Sequence, residues 1–531
     1  MGFSLKFLYR LLCFPMRTTS YPPLDLLKAT GHDCQVQLST GKLTSVQLVD
    51  LYLKQIKSSN GYLRAVLEVA PGALREAEAL DDERRRGIVR GPFHGVPILI
   101  KDNVNTHAAL GMNTTGGSLA FVGSRPKQNA AIVDRIIAAG MIILGKSQLS
   151  EFAGSKSHIV LPLNGLRGSD IYSGWSAVGG QAQSAYTTGD IDFEDKTMGH
   201  SSPSGSSTGS AVGVSAGYCP CAIGTDTFGS LITPSTRAAL YSIRPTMDLV
   251  PREGILPTSQ FFDTAGPMAK SSEDLAHLLD ILVLPHDIHG KGSYAESLIG
   301  GFEDLNIGVL KPEEWYLGPS IQKVVPSATS QITADTYSAY AKIKRHAKSF
   351  QEVSLISPGE LMVNGSHSIF DLIAAGFKEN IENYISTLET PRVGNLQDII
   401  QFNKDHAELE LPRDYNNQDQ LVRAQNIDMP QEERKRLFDH ARTIGRELGI
   451  DKTLNDYGVD VIIAPADSAF NLLVSAAGYP SATMPLSYLD YNGRPIGLAV
   501  FSTAHKEKLL LKVLSAWEKI SEPRRPPLSL V

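Results

Sequence analysis

Gly95-Val96-Pro97-Ile98-Leu99-Ile100-Lys101-Asp102-Asn103 is an apolar, β-prone run that ends on three polar residues. It reads as a buried strand over Val96–Ile100 that delivers Lys101 to the strand end. Ala65–Val69 and Met141-Ile142-Ile143-Leu144-Gly145 read as further strands, and helical patterns lie between them. Thr44-Ser45-Val46-Gln47 is a capping box that opens an amphipathic helix through Leu48, Leu51, Tyr52 and Ile56, stopping at Asn60-Gly61. A charged helix through Leu74, Ala77 and Leu80 ends near Gly87, and another spans Ala130–Ala139 before Gly140. Strands alternating with helices predict an α/β fold, a mixed central sheet covered by helices on both faces.

The same pattern returns late in the chain. Val459–Pro465, Ala477–Pro485 and Gly493–Leu498 carry strand-like core, and a helix over Glu507–Ile520 closes the fold with Leu510, Leu511, Leu514 and Trp517 on one side. Residues 303–457 are mostly helical and charge-rich, and residues 186–203 read as a polar surface insertion. The predicted division is an N-terminal extension over 1–39, one catalytic domain over 40–521 with 303–457 as its variable middle, and a tail over 522–531.

Composition narrows the partners. A net charge of -6 without a dense Lys/Arg block argues against nucleic acid. Charges interrupt the apolar runs, as at Ala130–Ile137, so no segment is long enough to span a bilayer. Four cysteines are too few for a disulfide framework. Cys219 and Cys221 have no matching Cys/His cluster and read as small buried residues. Met1–Ser20 holds Lys6, Arg10 and Arg17 without an acid, but Arg10 breaks the apolar core that a secretory signal needs. The expected location is cytoplasmic, with an organellar leader as the alternative.

The chemistry lies in two clusters of small and hydroxylated residues, Gly205-Ser206-Ser207-Thr208-Gly209 and Gly224-Thr225-Asp226-Thr227-Phe228-Gly229-Ser230, with no histidine between them. That suits acyl chemistry in which a lysine, not a histidine, accepts the proton. Ser230 follows a glycine at the end of a strand-to-loop passage. The consecutive amides of Thr227, Phe228, Gly229 and Ser230 form a candidate oxyanion nest. A competing reading takes Gly205-x-Ser207-x-Gly209 as the nucleophile elbow of an α/β-hydrolase, with Ser207 attacking and Asp467 and His505 assisting. An elbow follows a buried strand, whereas His200-Ser201-Ser202-Pro203-Ser204 is a polar loop. His94 reads as structural, and Lys146 is expected to face solvent.

Gly91–Asp102, Pro203–Gly209 and Gly224–Ser230 together resemble the lysine, bridging-serine and nucleophile segments of the amidase signature family. So do Asn113–Ser118, Ile143–Glu151, Gly174–Gly180, Ile243–Thr246, Asp263–Met268 and Ala477–Ser481. The resemblance implies amide hydrolysis, with Lys101 as base, Ser206 as a bridging serine held by a cis peptide, and Ser230 as the acyl-enzyme serine. It implies no cofactor or metal. It also implies a small-molecule amide as substrate, contacted by Ala153 and Phe152, and leaves a homodimer open. Asp102 is expected to turn from Lys101 towards backbone donors. Three positions depart from the family pattern: Phe228 and Ser204 stand where glycine is common, and Leu231-Ile232 replaces Ile-Arg. The alternatives are an amidotransferase subunit that supplies ammonia to an acyl group on transfer RNA, and a catalytically inactive binding protein.

Overall fold

The computed structural model describes residues 24–156, 171–290 and 292–530. The leader-like segment Met1–Ser20 lies outside them. Eleven strands make one mixed sheet: β1 (Val66–Val69), β2 (Pro97–Lys101), β3 (Ile142–Ser147), β4 (Cys221–Asp226), β5 (Tyr241–Arg244), β6 (Thr264–Ala269), β7 (Asn306–Val309), β8 (Ser349–Glu352), β9 (Val461–Pro465), β10 (Ser481–Tyr488) and β11 (Pro495–Phe501). Their spatial order is β1-β3-β2-β4-β6-β5-β10-β11-β9-β7-β8. β2 is parallel to both of its neighbours, β3 and β4, and every one of its residues is buried. This is why it reads as a continuous apolar run and not as an alternating one.

Helices cover both faces, and β9 shows how. Val461 and Ile463 join one core with Leu510, Leu514 and Trp517 of the helix Glu507–Ile520. Ile462 and Ala464 join a second core with Leu437 and Ala441 of the helix Gln431–Gly445 and with Phe470 and Leu473 of the helix Phe470–Ala477. Alternate residues of one strand thus serve opposite layers. The Thr44 capping box forms as expected: Gln47 N donates to Thr44 Oγ1 at 3.2 Å and Thr44 N donates to Gln47 Oε1 at 2.9 Å.

Several boundaries and placements differ from the sequence reading. A helix over Gly31–Ser39 buries Cys34 and Leu38 in the first core, so the packed structure begins before residue 40. Arg524 donates to the carbonyls of Ala239 and Leu27, tying the C-terminal residues to the body. The middle segment is not only helical, because it adds β7 and β8 to the sheet edge. The polar run 186–203 is exposed over 188–190 and 192–194, as expected of a surface segment, but its end at 198–203 is packed into the body. The buried Arg237 guanidinium donates to the carbonyls of Met198, Gly199 and Ser202, satisfying backbone that would otherwise need water. Cys219 and Cys221 are buried and unbridged, with thiols pushed up by burial. Among the described residues no helix is long and apolar enough to cross a membrane.

Candidate active site

Lys101 ends β2 with no exposed surface. Its ammonium nitrogen donates to Ser206 Oγ at 2.8 Å, Ser207 Oγ at 2.9 Å and Thr225 Oγ1 at 2.8 Å. With the Thr225 carbonyl at 3.3 Å, the acceptors are three hydroxyls and a carbonyl, all uncharged. Burial pulls the Lys101 pKa down to about 7, against the weaker upward pull of Asp226 and Asp263. Asp102 turns away as expected: its Oδ2 accepts from Thr115 N at 3.1 Å and from the Thr115 hydroxyl. A strand places consecutive side chains on opposite faces, so the carboxylate next in sequence to the lysine is kept off it.

Two of the three hydroxyls are tightly committed. Ser207 Oγ donates to Thr225 O at 2.9 Å and accepts from Thr225 N at 3.1 Å. Asn103 Nδ2 donates to Thr225 Oγ1 at 3.1 Å. Ser207 is fully buried in this network and does not line the cleft, which removes it as an elbow nucleophile. Its supposed partners are elsewhere. Asp467 accepts from Arg237 at 2.6 Å and from Arg494 at 2.9 Å, while His505 stacks on His289 with ring centroids 3.6 Å apart.

Ser206 and Ser230 both line an open cleft. The Gly205–Ser206 peptide is cis, and a Cβ on Gly205 would lie 2.5 Å from Ser150 Oγ, so a side chain there would force Ser150 to move. Ser204 takes a φ of 63°, a left-handed conformation that glycine adopts more easily. Its hydroxyl donates to Thr233 Oγ1 at 2.9 Å, tying the bridging-serine loop to the residues after the nucleophile. The turn carrying Ser230 is organised by Asp226. One of its oxygens accepts from Gly229 N at 2.8 Å and from Arg244 Nη1 at 2.6 Å, and the other accepts from Leu231 N at 2.7 Å. Gly229 meets this geometry with a φ of 112°. Its N–H is therefore committed to a carboxylate, a correction to its place among the oxyanion donors. The amides of Thr227 and Ser230 make no hydrogen bond among the described residues.

Ala153 and Phe228 line the cleft as expected, but Phe152 does not. It is fully buried in a separate cluster, edge to face with Phe121 and Phe377 at 6.0 and 6.2 Å. Lys146 is also buried rather than solvent-facing. It donates to Thr114 Oγ1 at 3.0 Å and to the Val104 carbonyl, 3.8 Å from Asp102 Oδ1. His94 Nε2 sits 3.0 Å from Leu80 O, a structural contact as expected. Sequence reasoning missed Thr225, Asn103 and the Asp226–Arg244 pair. The one signal for the pair was an arginine inside the apolar strand β5, which burial obliges to find a carboxylate.

The Amidase family model matches residues 47–159 and 197–511. A protein of Arabidopsis thaliana named "Probable amidase" is 31% identical over 510 residues, covering 95% of this chain and 92% of that protein. A glutamyl-tRNA(Gln) amidotransferase subunit from Chloroflexus aggregans is 28% identical over 528 residues, covering 93% of this chain and 96% of that one. Among solved structures, the native peptide amidase of Stenotrophomonas maltophilia has a TM-score of 0.81 at 32% identity, covering 95% of this chain and 99% of that chain.

Proposed function

Since this chain belongs to the amidase family and is a hydrolase of carbon–nitrogen amide bonds, we propose that it cleaves a carboxylic acid amide to the acid and ammonia or an amine through Lys101, Ser206 and Ser230. Ser230 Oγ attacks the carbonyl carbon and passes its proton to Ser206 Oγ, whose own proton moves to the neutral Lys101 amine. The amides of Thr227 and Ser230 receive the developing oxyanion. Ser206 then returns a proton to the leaving nitrogen as the carbon–nitrogen bond breaks. Water repeats the sequence on the acyl-enzyme and frees the acid.

The observation that carries this reading is the 2.8 Å contact of a fully buried lysine with Ser206, at the wall of the cleft onto which Ser230 opens. With a pKa of about 7, roughly half of Lys101 is neutral at pH 7, where an exposed lysine would be almost wholly charged. Ser207 and Thr225 support it further. Ser207 spends its proton on Thr225 O, so it meets Lys101 as an acceptor. Thr225 Oγ1 accepts from Lys101 too. The two N–H bonds of a neutral amine then point at Ser207 and Thr225, and its lone pair points at Ser206. Labelling with a fluorophosphonate followed by peptide mass analysis tests the assignment: the adduct belongs on Ser230, and an adduct on Ser207 would sink it.

A second reading, an ammonia-supplying amidotransferase component, is favoured by the similarity to the Chloroflexus aggregans protein. It predicts turnover of free glutamine and a stable complex with partner proteins.

A further inference from the structure

The walls of the cleft sort into one closed charge cluster and a broad apolar surface. Phe228, two residues before Ser230, meets Phe370 from the helix Ser368–Ser386 edge to face at 5.5 Å. Met198, Leu317, Ile321 and Leu472 continue the apolar lining from three other places in the chain. Among the described residues the only acidic or basic side chains lining the cleft are Glu151 and Lys156. These are 1–2% exposed and answer one another. Lys156 Nζ lies 2.7 Å from Glu151 Oε1 and donates to Glu410 Oε2 at 2.6 Å and to Glu410 O at 2.7 Å. It also stands 5.1 Å from the Trp175 ring centroid.

An ammonium that donates to Glu410 twice and lies 2.7 Å from Glu151 is already compensated, and is a poor partner for a substrate carboxylate. A zwitterionic amide such as glutamine would bring two charges out of water with no uncommitted counter-charge among the described lining residues, a desolvation loss that those residues do not return. An aryl or alkyl chain in the same place gains by leaving water. We propose that the cleft selects neutral amides whose acyl part carries a bulky apolar or aromatic group, seated against Phe228 and Phe370, and that it rejects free glutamine. This rests on the Lys101–Ser206–Ser230 reading and names the substrate class of that site.

The test is the release of ammonia by the purified full chain from 3-phenylpropionamide, hexanamide, acetamide and glutamine. The kcat/KM for 3-phenylpropionamide should exceed that for acetamide by about 10- to 100-fold, with hexanamide between them and glutamine below acetamide. Phe370→Ala should cut the ratio of 3-phenylpropionamide to acetamide by at least about threefold, and Phe370→Leu should restore most of it for hexanamide. A ratio near one, or glutamine cleaved as well as 3-phenylpropionamide, overturns the proposal. The fluorophosphonate adduct separates the two levels. Ser230 labelled alongside a flat substrate series removes only the selectivity, whereas no label and no turnover removes the triad reading and the selectivity together.

Discussion

Lys101 at the end of β2 and Lys146 near the end of β3 are both fully buried on neighbouring parallel strands. The register pairs Lys101 with Ser147 and Ile100 with Lys146, so the two lysines project from opposite faces of the sheet. Lys101 meets three hydroxyls and a carbonyl, with no carboxylate among its hydrogen-bond partners. Lys146 meets a carbonyl, a hydroxyl and the Asp102 carboxylate 3.8 Å away. Burial lowers the pKa of Lys146 to about 8, close to that of Lys101, even though Asp102 and then Glu68 oppose the shift. Burial likewise raises Asp102, and Lys146 draws that back. Depth alone therefore does not make a base. What separates the two lysines is what they touch: uncharged oxygens around Lys101 leave the neutral amine accessible, whereas the Asp102 carboxylate beside Lys146 favours its cation.

Replacing the two lysines should separate those roles. Lys101→Ala should lower kcat/KM by about 10²–10⁴-fold and remove the basic limb of the pH–rate profile. In the native enzyme that limb should lie near 7, rising with pH as the amine deprotonates and holding into the alkaline range. A limb that instead vanishes on His94→Ala or His505→Ala would break the comparison. Stability offers a second readout. The folded pKa of Lys101 lies below the ordinary value of 10.5, so the native state binds fewer protons between pH 7 and 10.5. Native stability should gain from this group as pH rises through that window, by about 1.4 kcal/mol per unit at most. Lys101→Met lacks that slope, so any advantage it has over the native enzyme in urea unfolding should be greatest at pH 7 and shrink towards pH 10.

Lys146→Met should act on folding and not on the limb. Stranding Asp102 in the interior is expected to cost about 3–5 kcal/mol, measured by urea unfolding at pH 7.5. Adding Asp102→Asn should recover part of the loss, and the folded fraction should keep its limb near 7. Ser207→Ala comes next in size. It should retain measurable turnover but lose about ten- to a hundredfold in kcat, because one of the acceptors that orients the Lys101 lone pair is gone. Intact kcat would demote Ser207 to simple packing.

The smallest effect is expected at the cleft wall. Ala153→Trp should raise KM about tenfold more for bulky acyl groups than for acetamide, since the side chain would occupy space that a large substrate needs. Equal changes across the acyl series would show that this position does not face the substrate.

Much of the centre of the molecule was legible because its signals are local. An apolar run ending on lysine is a buried strand wherever it packs, and the helix over Glu507–Ile520 shows its apolar side in the spacing of Leu510, Leu514 and Trp517 alone. The two serine loops announce themselves through glycines and hydroxyls clustered more densely than an apolar core would select, although most of them are buried. The edge strands β7 and β8 were not legible, since four-residue strands inside a helical, charged stretch carry too short a pattern to stand out.

Sequence by itself determined the α/β alternation, Lys101 at a strand end and the pair of serine loops, because backbone propensity and turn chemistry act over a few residues. Tertiary structure decided which hydroxyl faces the cleft and which is locked away, that Phe152 turns inward while Phe370 walls the site, and that Lys146 is buried beside Asp102. Those outcomes depend on strand register and on contacts hundreds of residues apart, such as Glu410 with Lys156. No local pattern encodes them, because each is set by which faces meet once the sheet has closed its layers.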